Sequence, residues 1–202
     1  TFPFMSKQVF ITGANGMLGA SVTREALNQG FSVKAQILPG SSTQVLAGLP
    51  IEIVEGNILD RAFLEREMAS CQFVINIAAL TTIWPRRLDI IHQVNFDGVK
   101  NIAEIAMQNG YTRMVQIGTA NSFDHGPKNN PGHENNKYEG HQFKMDYMDS
   151  KYRAQCYLRE LHATQNFPVI VVNPTYMIGP FDSGPTSGRM LIELYNNKLP
   201  GY

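Results

Sequence analysis

Tyr147-Met148-Asp149-Ser150-Lys151 sets a phenol and an ammonium four residues apart. On a helix that spacing brings both side chains to one face, about 5–6 Å apart at Cβ. A free phenol titrates near about 10, too high for efficient proton exchange at neutral pH. A neighbouring ammonium favours the phenolate, so such a pair can pass a proton to or from a hydroxyl or carbonyl oxygen. Any amphipathic helix can carry Tyr and Lys at this spacing, so the motif gains weight only from what stands around it.

Far upstream, a short apolar run ends in Thr12-Gly13-Ala14-Asn15-Gly16-Met17-Leu18-Gly19 and leads into a helical pattern. Glycines at 13, 16 and 19 leave no Cβ where the chain must turn sharply and a pyrophosphate must approach the backbone. The helix N-terminus then offers unpaired N–H groups and a positive dipole end. A strand–turn–helix with these glycines reads as a dinucleotide site. The second strand, Val33 to Leu38, ends with neither the acid that would bond an adenosine ribose nor the Arg that would meet a 2′-phosphate. NAD and NADP therefore both stay open, with Ser41, Ser42 and Thr43 as hydroxyls near that end. Asn57, ahead of Ile58, could hold an adenine edge or serve as an ordinary turn residue. Thr119, after Gly118 at the end of another apolar run, could hydrogen-bond a substrate oxygen or its own backbone.

Elements must hold these groups in place, and the periodicity supplies them. Short, β-branched apolar runs at Val9–Ile11, Val33–Leu38, Ile51–Val54, Phe73–Ala79, Met114–Ile117 and Val169–Val172 read as strands buried on both faces. Helical patterns run from Met17 to Gln29, Asp60 to Ala69, Leu88 to Gln108 and Asp146 to Thr164. Strand alternating with helix predicts an α/β fold with a doubly wound parallel sheet, a Rossmann arrangement with right-handed crossovers. The stretch from Ala120 to Met145, rich in Asn, Gly, His and Pro, reads as a long functional or mobile loop.

Composition narrows the partners. In 202 residues, 17 Lys and Arg balance 17 Asp and Glu, so no net charge gathers phosphates from a distance, and no nucleic-acid partner is expected. No apolar run approaches the roughly 20 residues needed to cross a bilayer, so no membrane partner is expected. Residues 1–7 lack the pattern of a secretory signal, and Met5 reads as the natural start. Cys71 and Cys156 form no disulfide framework and read as buried small hydrophobes, which fits a reduced, cytoplasmic setting. His125, His133 and His141 lack the spacing of metal ligands, so no metal is expected; loop histidines beside a substrate pocket fit better. Thr81, Thr82 and Trp84 are expected to border the substrate, with plain packing an equal reading for Trp84.

TGANGMLG at 12–19, Thr119 and YMDSK at 147–151 together resemble the extended branch of the short-chain dehydrogenase/reductase superfamily. Within it they are similar to the NAD(P)-dependent epimerases, dehydratases and dihydroflavonol-reductase-like enzymes. Asn76-Ile77-Ala78-Ala79 is similar to the family segment that lines the cofactor, although the family often has His where Asn76 stands. Val94-Asn95-Phe96-Asp97-Gly98 matches a family helix start. Asn173-Pro174-Thr175-Tyr176-Met177-Ile178-Gly179-Pro180 resembles the turn that closes over the nicotinamide. The likeness runs from about Lys7 to Arg189. It implies Thr119 as the catalytic hydroxyl, Tyr147 as the acid/base and Lys151 as its partner and the holder of the nicotinamide ribose. It implies cofactor contacts from Gly13, Asn15, Gly16, Met17, Leu18, Gly19, Asn57, Ile58, Ala78, Ala79, Lys151 and Pro174. Family members usually have Ser where Gly118 stands, and the strand-end Arg of the reductase-like group is replaced by Leu38. The family also pairs through two long helices, which here would be 88–108 and 146–164, giving a homodimer. Residues 5–180 are then expected to form an NAD(P)-binding Rossmann domain, and 181–202 to begin a substrate-binding region that is truncated, as in a fragment of a longer protein, or minimal, with the fragment favoured.

The expected function is NAD(P)-dependent hydride transfer between the nicotinamide and a small-molecule secondary alcohol or ketone. The alternatives are a nucleotide-sugar epimerase with tightly held NAD, and a non-catalytic NAD(P)-sensing regulator. A 4,6-dehydratase fits less well, because Ala120-Asn121 follow Thr119 where those enzymes place Asp-Glu.

Overall fold

The computed structural model describes residues 7–84, 87–184 and 186–198. The expected start at Met5 and the last residues of the 181–202 region lie outside them. The chain runs β1 (Gln8–Thr12), α1 (Met17–Asn28), β2 (Ser32–Ile37), β3 (Glu52–Glu55), α2 (Arg61–Met68) and β4 (Phe73–Asn76). It continues through α3 (Asp89–His92), α4 (Gly98–Gln108), β5 (Arg113–Ile117), α5 (Asp146–Gln165), β6 (Val169–Val172) and α6 (Gly188–Tyr195). The strands form one parallel sheet in the order β3-β2-β1-β4-β5-β6, the expected doubly wound architecture. The strand order reverses between β1 and β4, so a cleft opens beyond their carboxyl ends, where α/β sheets bind ligands.

Alternation within each strand divides the core in two. On one face Phe10, Val74 and Met114 pack with Leu64, Ile102 and Leu158 from α2, α4 and α5. On the other, Val9, Ile11, Val33 and Ile37 pack against Ala20 and Ala26 of α1. α1 starts without a side-chain cap, whereas Asp60 caps α2 by accepting from Phe63 N at 3.1 Å.

Three expectations need correction. The fourth strand stops at Asn76 instead of running on to Ala79, because the N–H groups of Ile77 and Ala78 donate to Thr12 Oγ1 at 3.0 and 3.1 Å. The helix expected over 88–108 is broken by a π-helical turn at Gln93–Asp97. Its apolar spacing hides this break. Inside the turn, Asn95 bonds the Leu80 backbone twice, accepting from its N–H at 2.8 Å and donating to its carbonyl at 2.9 Å. Cys71 is buried as expected, but Cys156 is exposed, because it stands on the outward side of α5.

Candidate active site

The glycine turn closes on itself. Gly13 has φ +62°, and a Cβ there would lie 3.0 Å from the Ala78 backbone. Gly16 N donates to Gly13 O at 3.1 Å, and a Cβ on Gly19 would stand 2.1 Å from the same oxygen. A side chain at Gly13 or Gly19 would collide with backbone and force this turn open, so the glycines keep it tight enough for a pyrophosphate to lie against its backbone and the uncapped start of α1. Gln36 of β2 locks the turn from beneath. Its Oε1 accepts from Gly13 N at 3.1 Å while its Nε2 donates to Gly56 O at 2.6 Å. Sequence reasoning passed over Gln36; its one sequence signal is an amide inside the apolar run Ala35–Leu38, and the structure shows that amide to be buried.

A cleft of about 1270 Å³ runs from this turn across the sheet ends. Gly13, Asn15, Gly16, Met17, Leu18, Gly19, Asn57, Ile58, Ala78, Ala79 and Pro174 all line it, together with Leu38 and Ser41. Asn15 Nδ2 donates to Ser42 O at 3.1 Å, which ties the turn to the segment after β2. Asn57 takes the turn role, its Oδ1 accepting from Leu59 N at 3.0 Å, and its NH₂ group has no partner among the described residues.

Thr119, Tyr147 and Lys151 line the same cleft farther along. α5 presents Tyr147 half-buried, and its hydroxyl has no hydrogen-bond partner among the described residues. Lys151, one turn on, is buried and donates from Nζ to Ile117 O at 2.8 Å. Burial lowers its pKa to about 8. Thr119 Oγ1 accepts from Asn121 N at 3.3 Å, the backbone role foreseen for it, and this leaves the hydroxyl proton to donate into the cleft. Thr119 N donates to Asn173 Oδ1 at 2.9 Å. A Cβ at 118 would stand 2.1 Å from that oxygen, which explains Gly118 where Ser is usual: Asn173 occupies the space.

Beneath the catalytic groups runs a buried chain of hydrogen bonds that links the glycine turn to the lysine. Thr12 Oγ1 donates to Asn76 Oδ1 at 2.5 Å, and Asn76 Nδ2 to Gln116 Oε1 at 2.8 Å. Gln116 Nε2 donates to Ile117 O at 2.8 Å, the oxygen that also receives Lys151. Asn76 thus replaces the usual His with an amide that can donate to β5 while accepting from β1. Among the residues expected to border a substrate, Thr81 and His125 line the cleft, whereas Thr82, Trp84, His133 and His141 stand outside it.

The sequence profile of the NAD dependent epimerase/dehydratase family matches residues 9–200. The chain belongs to that family. NAD(P) is accordingly its cofactor class, in line with the glycine cradle and with the resemblance read from the sequence. Family relatives include a putative dihydroflavonol 4-reductase of Synechocystis sp., 29% identical over 98% of this chain and 57% of that protein. Sterol demethylase protein B of Methylococcus capsulatus is 27% identical over 95% of this chain and 58% of its own length. A solved nucleoside-diphosphate-sugar epimerase from Pseudomonas aeruginosa superposes with a TM-score of 0.79 at 25% identity, over 97% of this chain and 61% of that one. This family member therefore spans less than two thirds of the length of these relatives.

Proposed function

We propose that this chain carries the cofactor site and catalytic centre of an enzyme that moves hydride between NAD(P) and a secondary alcohol or ketone. The observation that carries the reading is the convergence of Thr119, Tyr147 and buried Lys151 in the cleft that begins at the glycine cradle. Gly13 to Gly19 hold the pyrophosphate, Asn57 and Ile58 the adenine end, and Ala78, Ala79, Lys151 and Pro174 the nicotinamide end. The bound nicotinamide supplies or accepts the hydride. Thr119 and Tyr147 hydroxyls donate to the substrate carbonyl oxygen, and Tyr147 delivers the proton that makes it an alcohol; oxidation returns that proton to Tyr147. Lys151 favours the phenolate that each reduction leaves.

A nucleotide-sugar substrate is the weaker reading. Beyond the glycine cradle, which binds its diphosphate through backbone N–H groups, a second diphosphate would find one cation among the described residues lining the cleft, Lys151, which is buried on the Ile117 carbonyl. Asp124 and Glu139 line the same cleft and would repel it.

The test is an incubation with NADH and NADPH deuterated at the transferable nicotinamide position, offered acetone, cyclohexanone and 2-decalone. The expected product is an alcohol with deuterium on its carbinol carbon. Ketones recovered unreduced, with the cofactor intact, contradict the proposal. Conversion of UDP-glucose to its 4-epimer without net reduction of cofactor assigns the epimerase reading instead.

A further inference from the structure

The first turns of α5 do more than present Tyr147. Asp146, the residue before it, is 4% exposed. Its carboxylate accepts from Arg87 Nη1 and, at 2.7 Å, from Leu88 N, and lies 3.2 Å from His92 Nε2. Burial alone would raise its pKa, but these donors outweigh burial and hold the carboxyl below its ordinary range, so it remains an anion. Asp149 lies three residues on. It accepts from the Tyr138 hydroxyl at 2.6 Å and from the same Arg87 nitrogen at 3.3 Å. Tyr138 also stacks on Tyr152 of α5, with ring centroids 4.1 Å apart and planes 15° apart. Its ring sits under Gly140, where a Cβ would lie 2.4 Å away. Burial, then the Asp149 carboxylate, pushes the Tyr138 phenol up, so it stays a donor.

These contacts bind α5 to two separate segments of the cleft lining. Residues 80–84 and 87–92 contribute Thr81, Ile83 and Ile90, and residues 138–143 contribute Gly140 and Phe143. Ile83, Ile90 and Phe143 are large, exposed apolar side chains, which a soluble surface normally leaves scattered rather than gathered in one cleft. Among the described residues neither stretch holds a strand or a long helix, so its position depends on such point contacts. Both sets of contacts converge on residues one before and two after Tyr147.

We propose that Asp146 and Asp149 are positioning residues that set substrate selectivity, by fixing both apolar segments of the cleft to the helix that carries Tyr147. Selectivity here is that of the hydride transfer proposed above, and the inference rests on that reading. The anions touch neither the glycine cradle nor the Tyr147 hydroxyl, so cofactor affinity and proton transfer do not depend on them directly.

The experiment uses the full chain with Asp146→Asn, Asp149→Asn and Tyr138→Phe. Amide hydrogen exchange, read without cofactor or substrate, is expected to speed up about 10-fold or more at Leu88 and Ile91 in Asp146→Asn, and at these and at Gln142 and Lys144 in Asp149→Asn, while Gly13, Ala14 and Gly16 stay unchanged. Tyr138→Phe keeps the ring stack and loses one hydrogen bond, so only Gln142 and Lys144 are expected to respond. In the ketone assay, the ratio of kcat/KM for 2-decalone over cyclohexanone is expected to change about 10-fold, mostly through KM, with kcat within about threefold. Exchange that is unchanged, or that rises evenly along the whole chain, overturns the anchoring. A fall of kcat equal for both ketones overturns the selectivity. A wild-type chain that reduces neither ketone overturns the hydride reading and the selectivity with it. The exchange data, which need no turnover, tell that failure apart from a failure of the anchoring.

Discussion

Tyr147→Phe is expected to lower kcat about 10²–10⁴-fold, the usual worth of a positioned acid/base, while the Kd for the cofactor stays within about twofold. The reason is local. Phenylalanine keeps the ring that lines the cleft and removes only a hydroxyl that has no protein partner among the described residues. No buried group is orphaned, so the melting temperature should not move. The Thr119 hydroxyl, with its lone pair engaged by Asn121 N, still donates to the substrate oxygen and accounts for a residual rate. Steady-state kinetics beside a cofactor titration check both halves. A variant retaining more than about half the wild-type kcat removes Tyr147 from the chemistry.

Lys151→Met is expected to act in opposite directions on activity and stability. The ammonium is 4% exposed, and burial has lowered its pKa from 10.5 to about 8. In the unfolded chain it titrates near its ordinary value, so between about pH 8 and 10.5 the unfolded state binds more protons than the folded one. Stability therefore rises with pH through that window, and below about pH 8 the folded protein carries the full cost of the buried charge. Methionine fills a similar volume without that charge. Ile117 O loses one donor but keeps Gln116 Nε2. At pH 7 the variant should gain on the order of 2 kcal/mol, after allowing for the lost hydrogen bond. The gain should vanish as pH rises through the window. Activity should fall about 10²-fold or more, since the phenolate loses its supporting charge. Urea denaturation of both proteins at pH 7 and pH 10.5 reads the first effect. A variant less stable than wild type at pH 7, or a difference that does not shrink with pH, contradicts the account of the buried charge.

The cradle and the catalytic pair were legible in the sequence because each answers a local demand. Gly19 is required by contacts within its own turn and Gly13 by its left-handed backbone, while Tyr147 and Lys151 share a face through the helical repeat alone. The groups that hold them were not legible. Gln36, Asn76 and Gln116 look like ordinary strand residues, and the bonds joining them span 20 to 64 positions of chain. Gly118 read as a departure from the family pattern until Asn173, 54 residues from Thr119, was found in the space a side chain would take. The π turn at Gln93–Asp97 escaped notice because apolar spacing continues through it, and the backbone bonds of Asn95 carry no periodic signature. Cys156 was misplaced because burial was inferred from residue type, whereas on α5 the helical phase decides it.

The central claim is that the glycine cradle and the Tyr147 cleft form one cofactor-dependent site, and titration calorimetry with NAD(H) and NADP(H) tests it most directly. The account predicts saturable binding of one of these cofactor pairs to the wild-type chain. It predicts loss of that binding in Gly19→Ala, whose new Cβ would meet Gly13 O at 2.1 Å. A folded wild-type chain that binds none of the four, or a Gly19→Ala chain that binds as tightly, would contradict it.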